Sequence, residues 1–258
     1  MSGASGDPAS YHDSAAAWDR VAADYGRHVL SVREHDRRGL VFARIDAHAN
    51  TGATAADIGC GVGEFTAHLA RRFRRVEACD HSKEALARTR DACRGTAEAR
   101  VRLHLVDIVS APAPFEPVDF VLCVNVLLMP SLDERMRAWR FATNQIRSDG
   151  RLLLVVPSHE SILFQVHLAV AADLADGRDC AAVERDATRD AAGTSSMPLG
   201  VHLLSGVPTK HYLADELRAL FDEHHLDLEE LVRLEYAPGG PHVLGQGVWD
   251  WLAVGRRR

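Results

Sequence analysis

Apolar residues along this chain change their period repeatedly, and each change marks an element. In "SAAAWDRVAADY", from Ser14 to Tyr25, the apolar positions Ala17, Val21, Ala22 and Tyr25 fall at helical spacing. A second helical segment is expected from Ser31 to His48. "ATAADI" then reads as a short buried strand, and "EFTAHLARRF" sets Phe65, Leu69 and Phe73 four apart on one helical face. The unit repeats. "RVEACD" is a strand, and "SKEALARTRDACRG" is a helix opened by a Ser82 cap and closed by Gly95. "VRLHLVDI" is another strand. "VDFVLCVNVLLM" is almost unbroken apolar, as expected of a central parallel strand covered on both faces. "DERMRAWRFATNQIRS" is a helix ended by Gly150, and "RLLLVVP" is a further buried strand. Such alternation with short turns predicts a doubly wound, mostly parallel α/β sheet.

Beyond Pro157 the rhythm changes. "ESILFQVHLAVAADLADG" reads as a helix, whereas "RDCAAVERDATRDAAGTSSMPLG" is charged, rich in small residues and without sustained period. Residues 178–200 are therefore expected to form an insertion or flap. "TKHYLADELRALFDEHH" reads as a helix, and "LDLEELVRLEY" and "GVWDWLAVG" as closing strands joined by the turn-forming "APGGP". One domain is expected over residues 14–258. It divides into a helical lid at 14–50, a cofactor-binding core at 51–157, a helix and flap at 158–208, and a closing helix and strands at 209–258. Residues 1–13, small and polar, are expected to be disordered.

Composition narrows the function. The 258 residues are 47% hydrophobic and 26% charged, ordinary for a globular domain. A net charge of −6 argues against nucleic-acid binding through phosphates, which needs a basic face. The opening "MSGASGDPAS" lacks the apolar stretch of a signal peptide, and no apolar run approaches a membrane span of roughly 20 residues. Five cysteines, an odd count without a CxxC pair, read as reduced core residues of a cytoplasmic protein, not as a zinc site. The fourteen histidines show no metal-binding spacing, so no metal is expected.

The candidate chemistry centres on "AADIGCGVGEF". Gly59, Gly61 and Gly63 follow a predicted strand and open a predicted helix, the place where α/β sheets hold nucleosides. A pyrophosphate at a helix N-terminus wants positive potential. This turn instead carries Asp57 before the first glycine and Glu64 after the last, with no phosphate-binding lysine. Acidic walls suit a cationic ligand without phosphate, and the ammonium and sulfonium of S-adenosylmethionine meet both conditions. Asp80 ends the second strand, where a carboxylate can accept from both ribose hydroxyls, and Asp107 ends the third, placed for an exocyclic adenine amine. Each acid alone could instead cap a helix or a turn. Their recurrence at three successive strand ends favours the ligand.

These stretches, "ADIGCGVGEF", "VEACDHS", "LVDI", "VDFVLCVNVLLM" and "SDGRLLLVVP", resemble the class I S-adenosylmethionine-dependent methyltransferases. "WDRVAADY" looks like the cofactor-covering helix of members that act on small molecules. The resemblance is strong over residues 14–157 and holds only in outline beyond. It implies a Rossmann-like, seven-stranded sheet whose last strand runs antiparallel, with S-adenosylhomocysteine as product. It also implies that Asp57 and the backbone of Gly59, Cys60, Gly61 and Gly63 face the methionine end, with Tyr25 over the carboxylate. Asp80 would hold the ribose, His81 would flank the adenosine, and Asp107 with the Ile108 backbone would read the adenine. Asn125 would lie near the sulfonium.

At the acceptor end, Asn125–Met129 and Ser158-His159-Glu160 lie where ligands of open sheets bind. His159 is the expected general base, with Tyr11 and His12 as candidates from an N-terminal lid, while Glu160 could equally start the next helix. "NVLL" after the fourth strand is not the motif of amino-methylating DNA enzymes. Cys123 lies inside its strand, and Asp133 and Glu134 read as a helix start. A small organic acceptor remains, methylated at O, N or C in secondary metabolism by a monomer or homodimer, with Trp249 and Trp251 as possible pocket walls or core. Two other readings stand beside it. One is an enzyme of the same fold (cyclase, decarboxylase or hydroxylase) that uses the bound cofactor electrostatically, and the other is a non-catalytic partner subunit.

Overall fold

The computed structural model of the chain describes residues 31–95, 98–189, 197–204, 207–236 and 247–258. The expected disordered N-terminus, the helix from Ser14 to Tyr25, and Tyr11, His12 and Tyr25 themselves lie outside them, as does the "APGGP" turn.

Seven strands form one sheet. They are β1 (Thr54–Ile58), β2 (Arg75–Asp80), β3 (Val101–Leu105), β4 (Val118–Val124), β5 (Ile146–Pro157), β8 (Leu226–Glu235) and β9 (Trp249–Arg257), in the order β3-β2-β1-β4-β5-β9-β8. β1 to β5 pair in parallel, and β9 runs antiparallel to both its neighbours. This is the doubly wound α/β sheet, with its last strand reversed, that the pattern and the resemblance implied. The chain reverses between β1 and β4, and the C-terminal ends of these strands open the crevice where such sheets bind ligands.

Helices cover both faces. Under one pack α2 (Leu40–Ala47), α3 (Thr66–Arg72) and α4 (Lys83–Ala92), through Ile45, Leu69, Phe73 and Leu86 against Phe120, Leu153 and Leu252. Under the other pack α5 (Leu132–Asn144) and α8 (Ala214–Glu223), through Trp139, Leu217 and Phe221 against Val121, Leu152 and Trp251. Burial on both faces explains the unbroken apolar runs of β1, β4 and β5. Each large side chain so buried contributes about 1.5–3 kcal/mol. The edge strand β8 is tied to its neighbours by ion pairs, Glu230 accepting two 2.6 Å bonds from Arg44 of the helix at Leu40–Ala47 and Glu229 binding Arg151 of β5.

Several boundaries depart from the hydrophobic pattern. The single helix expected over 31–48 divides into α1 (Val32–His35) and α2, because Gly39 takes a left-handed conformation. Asp36 holds that break by accepting from the Arg38 and Val41 amides. Gly150 lies inside β5 and does not end a helix, since Asp149 at φ 61° and a register break at Val118/Phe120 absorb the bend there. β3 stops at Leu105, leaving Asp107 in the following turn. Ser82 does cap α4, accepting from the Ala85 amide, and Asp133 and Glu134 do begin α5 behind a Ser131 cap. The 178–200 stretch holds a helix, α7 (Cys180–Arg189), after the long α6 (His159–Ala175).

A two-stranded hairpin, β6 (Val201–Leu204) and β7 (Val207–Lys210), stands where a helix was expected to begin at Thr209. Its buried positions include His202, Thr209 and Lys210, so no apolar alternation announces it. The helix instead begins at Ala214, where Glu160 Oε1 accepts from the backbone amide at 2.8 Å. Cys60, Cys79, Cys93 and Cys123 are buried free thiols, whereas Cys180 is exposed.

Candidate cofactor and acceptor site

The glycine loop leaves β1 over the end of β2. The amides of Gly59 and Cys60 both donate to the Cys79 carbonyl, at 2.8 and 3.0 Å. Gly59 (φ 68°) and Gly63 (φ 83°) are left-handed, a conformation L side chains rarely adopt. Space excludes side chains there as well. A Cβ on Gly59 would overlap Val126 Cγ2 and stand 3.2 Å from Val126 Cβ, and one on Gly63 would lie 2.9 Å from Thr89 Cα. The first contact seats the loop against Asn125-Val126, and the second seats it on α4. Thr89 completes the attachment by donating to the Gly61 carbonyl at 2.8 Å.

The acids line this loop. Asp80 accepts from the Gly61 amide on one oxygen and the Ser82 amide on the other, both at 2.9 Å, so it ties the loop to the start of α4. Each oxygen keeps a second lone pair. Asp57 is 4% exposed and accepts from the Thr66 hydroxyl at 2.6 Å. Burial pushes its carboxyl up to about 7, the Thr66 bond opposing and the Asp80 charge adding. Burial likewise raises Glu64, which accepts from the Ser31 hydroxyl at 2.6 Å. Among the described residues no lysine, arginine or histidine forms an ion pair with Asp57, Asp80 or Glu64. Arg33 and His35 lower Glu64 only from a distance, and acids gathered without an ion pair suit a cationic ligand.

Asn125 follows β4 at φ 53°, an uncommon conformation for a residue other than glycine. Its amide donates to the Val155 carbonyl at 2.9 Å, while its buried Oδ1 has no hydrogen-bond partner. An orphaned acceptor beside the glycine loop fits a ligand that brings a donor. His81, half-buried, follows Asp80 at the same strand end. Asp107 is exposed, and its carboxylate accepts from the Val109 amide at 2.9 Å and the Ser110 hydroxyl at 2.6 Å, a turn cap as well as a strand-end acid. Ile108 beside it is 9% exposed.

At the other side of the crevice the β6–β7 hairpin lies over the segment after β4. The Lys210 amide donates to the Leu128 carbonyl at 2.9 Å, and the Tyr212 hydroxyl donates to the Leu127 carbonyl at 2.6 Å. His159, first residue of α6, packs edge-on to His202 with ring centroids 4.7 Å apart, and His202 packs on His211 at 5.1 Å. Burial, with the Lys210 ammonium adding, lowers His159, and burial pushes His202 down to about 4. Both imidazoles are therefore neutral at pH 7. Lys210 itself is held by Glu216 and the Leu199 carbonyl.

Other expected residues prove structural. Glu160 caps α8 and accepts from the Trp251 indole at 3.1 Å. Trp251 fills the core, while Trp249 lies under Phe164 with the Arg233 guanidinium 4.2 Å from its ring. Burial raises the Cys123 thiol far above its usual value, as befits a core residue. Sequence reasoning passed over Asp250, 3% exposed on β9, which accepts from the Tyr236 hydroxyl. Burial pushes it up to about 6. An acid in the middle of the apolar "VWDWLAV" was its visible signal.

Comparison with known proteins agrees with this geometry. The family described as "Methyltransferase domain" matches residues 55–150. No curated protein matches significantly in sequence. Among solved structures, a 1,6-didemethyltoxoflavin-N1-methyltransferase from Burkholderia thailandensis, with bound 1,6-didemethyltoxoflavin and S-adenosylhomocysteine, is similar at 17% identity and TM-score 0.62. The alignment covers 100% of this chain and 93% of that one. The N-methyltransferase NodS from Bradyrhizobium japonicum WM9, in complex with S-adenosylhomocysteine, is similar at 16% and 0.59, covering 94% and 97%. The [4+2]-cyclase SpnF is similar at 16% and 0.56, covering 84% and 80%. At such identities these likenesses establish the fold, and the family match covers the glycine loop and the acids that follow it. Residues 55–150 thus match a methyltransferase domain, within a chain whose fold these solved structures share.

Proposed function

We propose that this protein transfers a methyl group from S-adenosylmethionine to the O, N or C of a small organic acceptor, in secondary metabolism in the cytoplasm. The observation that carries the cofactor reading is the acidic wall of the glycine loop, with which no described cation forms an ion pair, and the orphaned Asn125 Oδ1 beside it. Asp57, Asn125 and the Gly59–Gly63 backbone hold the amino-acid end. Asp80 offers its free lone pairs to the ribose hydroxyls, His81 flanks the adenosine, and Asp107 and the Ile108 backbone meet the adenine. S-adenosylmethionine bound there supplies an electrophilic methyl group.

Transfer to an acceptor is an in-line displacement, so the chain's own task is to align the acceptor and exclude water. The hairpin over Leu127 and Leu128 closes the acceptor side, which suits a small molecule better than a polymer. The net charge of −6 agrees. Among the described residues no helix is long and apolar enough to cross a membrane. His159, neutral at pH 7, takes the proton of an O–H or N–H acceptor.

Incubation with methyl-labelled cofactor and an extract of the producing cells, read by mass spectrometry, is expected to yield a labelled small molecule and equimolar S-adenosylhomocysteine. Conversion of an acceptor without S-adenosylhomocysteine would replace this reading with the non-transferring one, which SpnF makes concrete for this fold. His159→Phe is expected to lower kcat about 100-fold with cofactor affinity unchanged. An unchanged kcat would remove His159 from the chemistry.

A further inference from the structure

One buried histidine of the β6–β7 hairpin is left unpaired by the fold. His202 stands on β6, 9% exposed, opposite Thr209 of β7. Its Nε2 is buried without a hydrogen-bond partner. Edge-on contact with the imidazoles of His159 and His211, at ring-centroid distances of 4.7 and 5.1 Å, is a weak substitute. A leucine of similar volume would fill the space with no polar atom unpaired, so the imidazole costs free energy unless a ligand meets it.

The surroundings hold this ring beside the candidate base. Tyr212, just past β7, ties the hairpin to two strand ends. Its amide donates to the Pro157 carbonyl at 2.8 Å, its carbonyl accepts from the His159 amide at 3.0 Å, and its hydroxyl donates to the Leu127 carbonyl at 2.6 Å. Gly200, which enters β6 at φ 67°, seats the turn against His159, since a Cβ there would lie 3.2 Å from His159 Nδ1. The two imidazoles thus share one place beyond the ends of β4 and β5, on the acceptor side of the crevice. Among the described residues no hydrogen bond engages a ring nitrogen of either.

A neutral imidazole carries one N–H donor and one acceptor nitrogen. With His159 taking the proton of the reacting O–H or N–H, His202 is free to read a second polar atom of the same molecule. Centroids 4.7 Å apart and hydrogen bonds of about 2.9 Å bring those two atoms close together, on neighbouring positions of a ring or chain. Charge narrows the class further. Lys210, on the facing strand, is already held by Glu216 Oε2 at 2.7 Å and the Leu199 carbonyl at 2.9 Å, so it is not offered to a carboxylate or phosphate.

We propose that His202 is a specificity-determining residue of the acceptor site, and that the acceptor is an uncharged small molecule whose reacting O–H or N–H has a hydroxyl, carbonyl or ring nitrogen beside it. This rests on the methyl-transfer reading above.

The test uses the purified full-length protein, methyl-labelled S-adenosylmethionine and the cell extract, with the labelled product identified by mass spectrometry and its unmethylated parent then used as substrate. The product is expected to carry a second polar group next to the methylated position. His202→Leu is expected to raise KM for the parent about tenfold, while kcat changes less than threefold and S-adenosylhomocysteine affinity by calorimetry stays the same. His202→Gln, whose carboxamide reaches the place of Nε2, should recover most of the KM. His202→Leu should also unfold at a denaturant concentration equal to or above that of wild type, which a structural histidine would not allow. A product with one isolated polar group, an unchanged KM, or a fall in kcat or cofactor affinity in place of the KM effect overturns the proposal. So does a leucine variant that unfolds well below wild type. No labelled product from the wild-type protein overturns the methyl-transfer reading itself, and this inference with it.

Discussion

Asp57→Asn is expected to stabilise the ligand-free protein at pH 8 while weakening its hold on S-adenosylhomocysteine. The carboxyl is raised to about 7 by burial, roughly three units above its unfolded value. Between about pH 4 and 7 the native state therefore binds a proton that the unfolded chain has released. Its contribution is fully present below about pH 4 and is lost as pH rises through about 7, a loss on the order of 4 kcal/mol. The amide variant keeps an oxygen for the Thr66 hydroxyl and escapes this loss. Asp250 titrates in the same sense and His202 in the opposite one, but both are common to the two proteins and cancel in the difference. Denaturant unfolding should show the variant's advantage growing from near zero at pH 4 to its full value at pH 8. A cationic ligand, by contrast, favours the ionised carboxylate. Wild-type affinity should tighten as pH rises through 7, and the variant should bind at least tenfold more weakly without that trend. A variant less stable than wild type at pH 8 would show that Asp57 is paired after all.

The glycine loop should be as intolerant of bulk as it is of lost charge. Gly59→Ala is expected to cost about 2–5 kcal/mol, combining overpacking with an unfavourable backbone conformation. Rotating Val126 does not remove the contact altogether, because its Cβ itself lies a tight 3.2 Å from the added atom. The collision pushes the Asn125-Val126 segment outward, so S-adenosylhomocysteine binding should be lost with the stability. Adding Val126→Ala should restore part of the stability, since the methyl groups leave while the backbone strain stays. Chemical denaturation of the single and double variants measures both effects. A Gly59→Ala protein within about 0.5 kcal/mol of wild type would mean that the loop is not held against Val126.

Legibility in the sequence followed burial. β1, β4 and β5 were readable because helices cover both faces, leaving apolar runs that no loop would carry. The glycine loop and its acids were readable because their spacing and charge reflect a local turn. The β6–β7 hairpin was not, since its buried positions are filled by His202, Thr209 and Lys210, polar residues whose pattern carries no apolar alternation. Asp250 was hidden for the same reason. It is a charged residue in an apolar strand, and its burial is intelligible only with the Tyr236 hydroxyl that donates to it from just past β8. Asp107 shows the converse, since its local turn bonds satisfy the simple capping reading and the strand-end reading at once.

The central claim is that the acidic glycine loop is an S-adenosylmethionine site, and calorimetric titration of the wild-type protein with S-adenosylhomocysteine tests it most directly. One site per chain is expected, with a dissociation constant on the order of 1–100 μM. Asp80→Ala, which removes the acceptor joining Gly61 to Ser82, should abolish the binding. The absence of binding heat and of thermal stabilisation at millimolar ligand, or undiminished binding by Asp80→Ala, would contradict it.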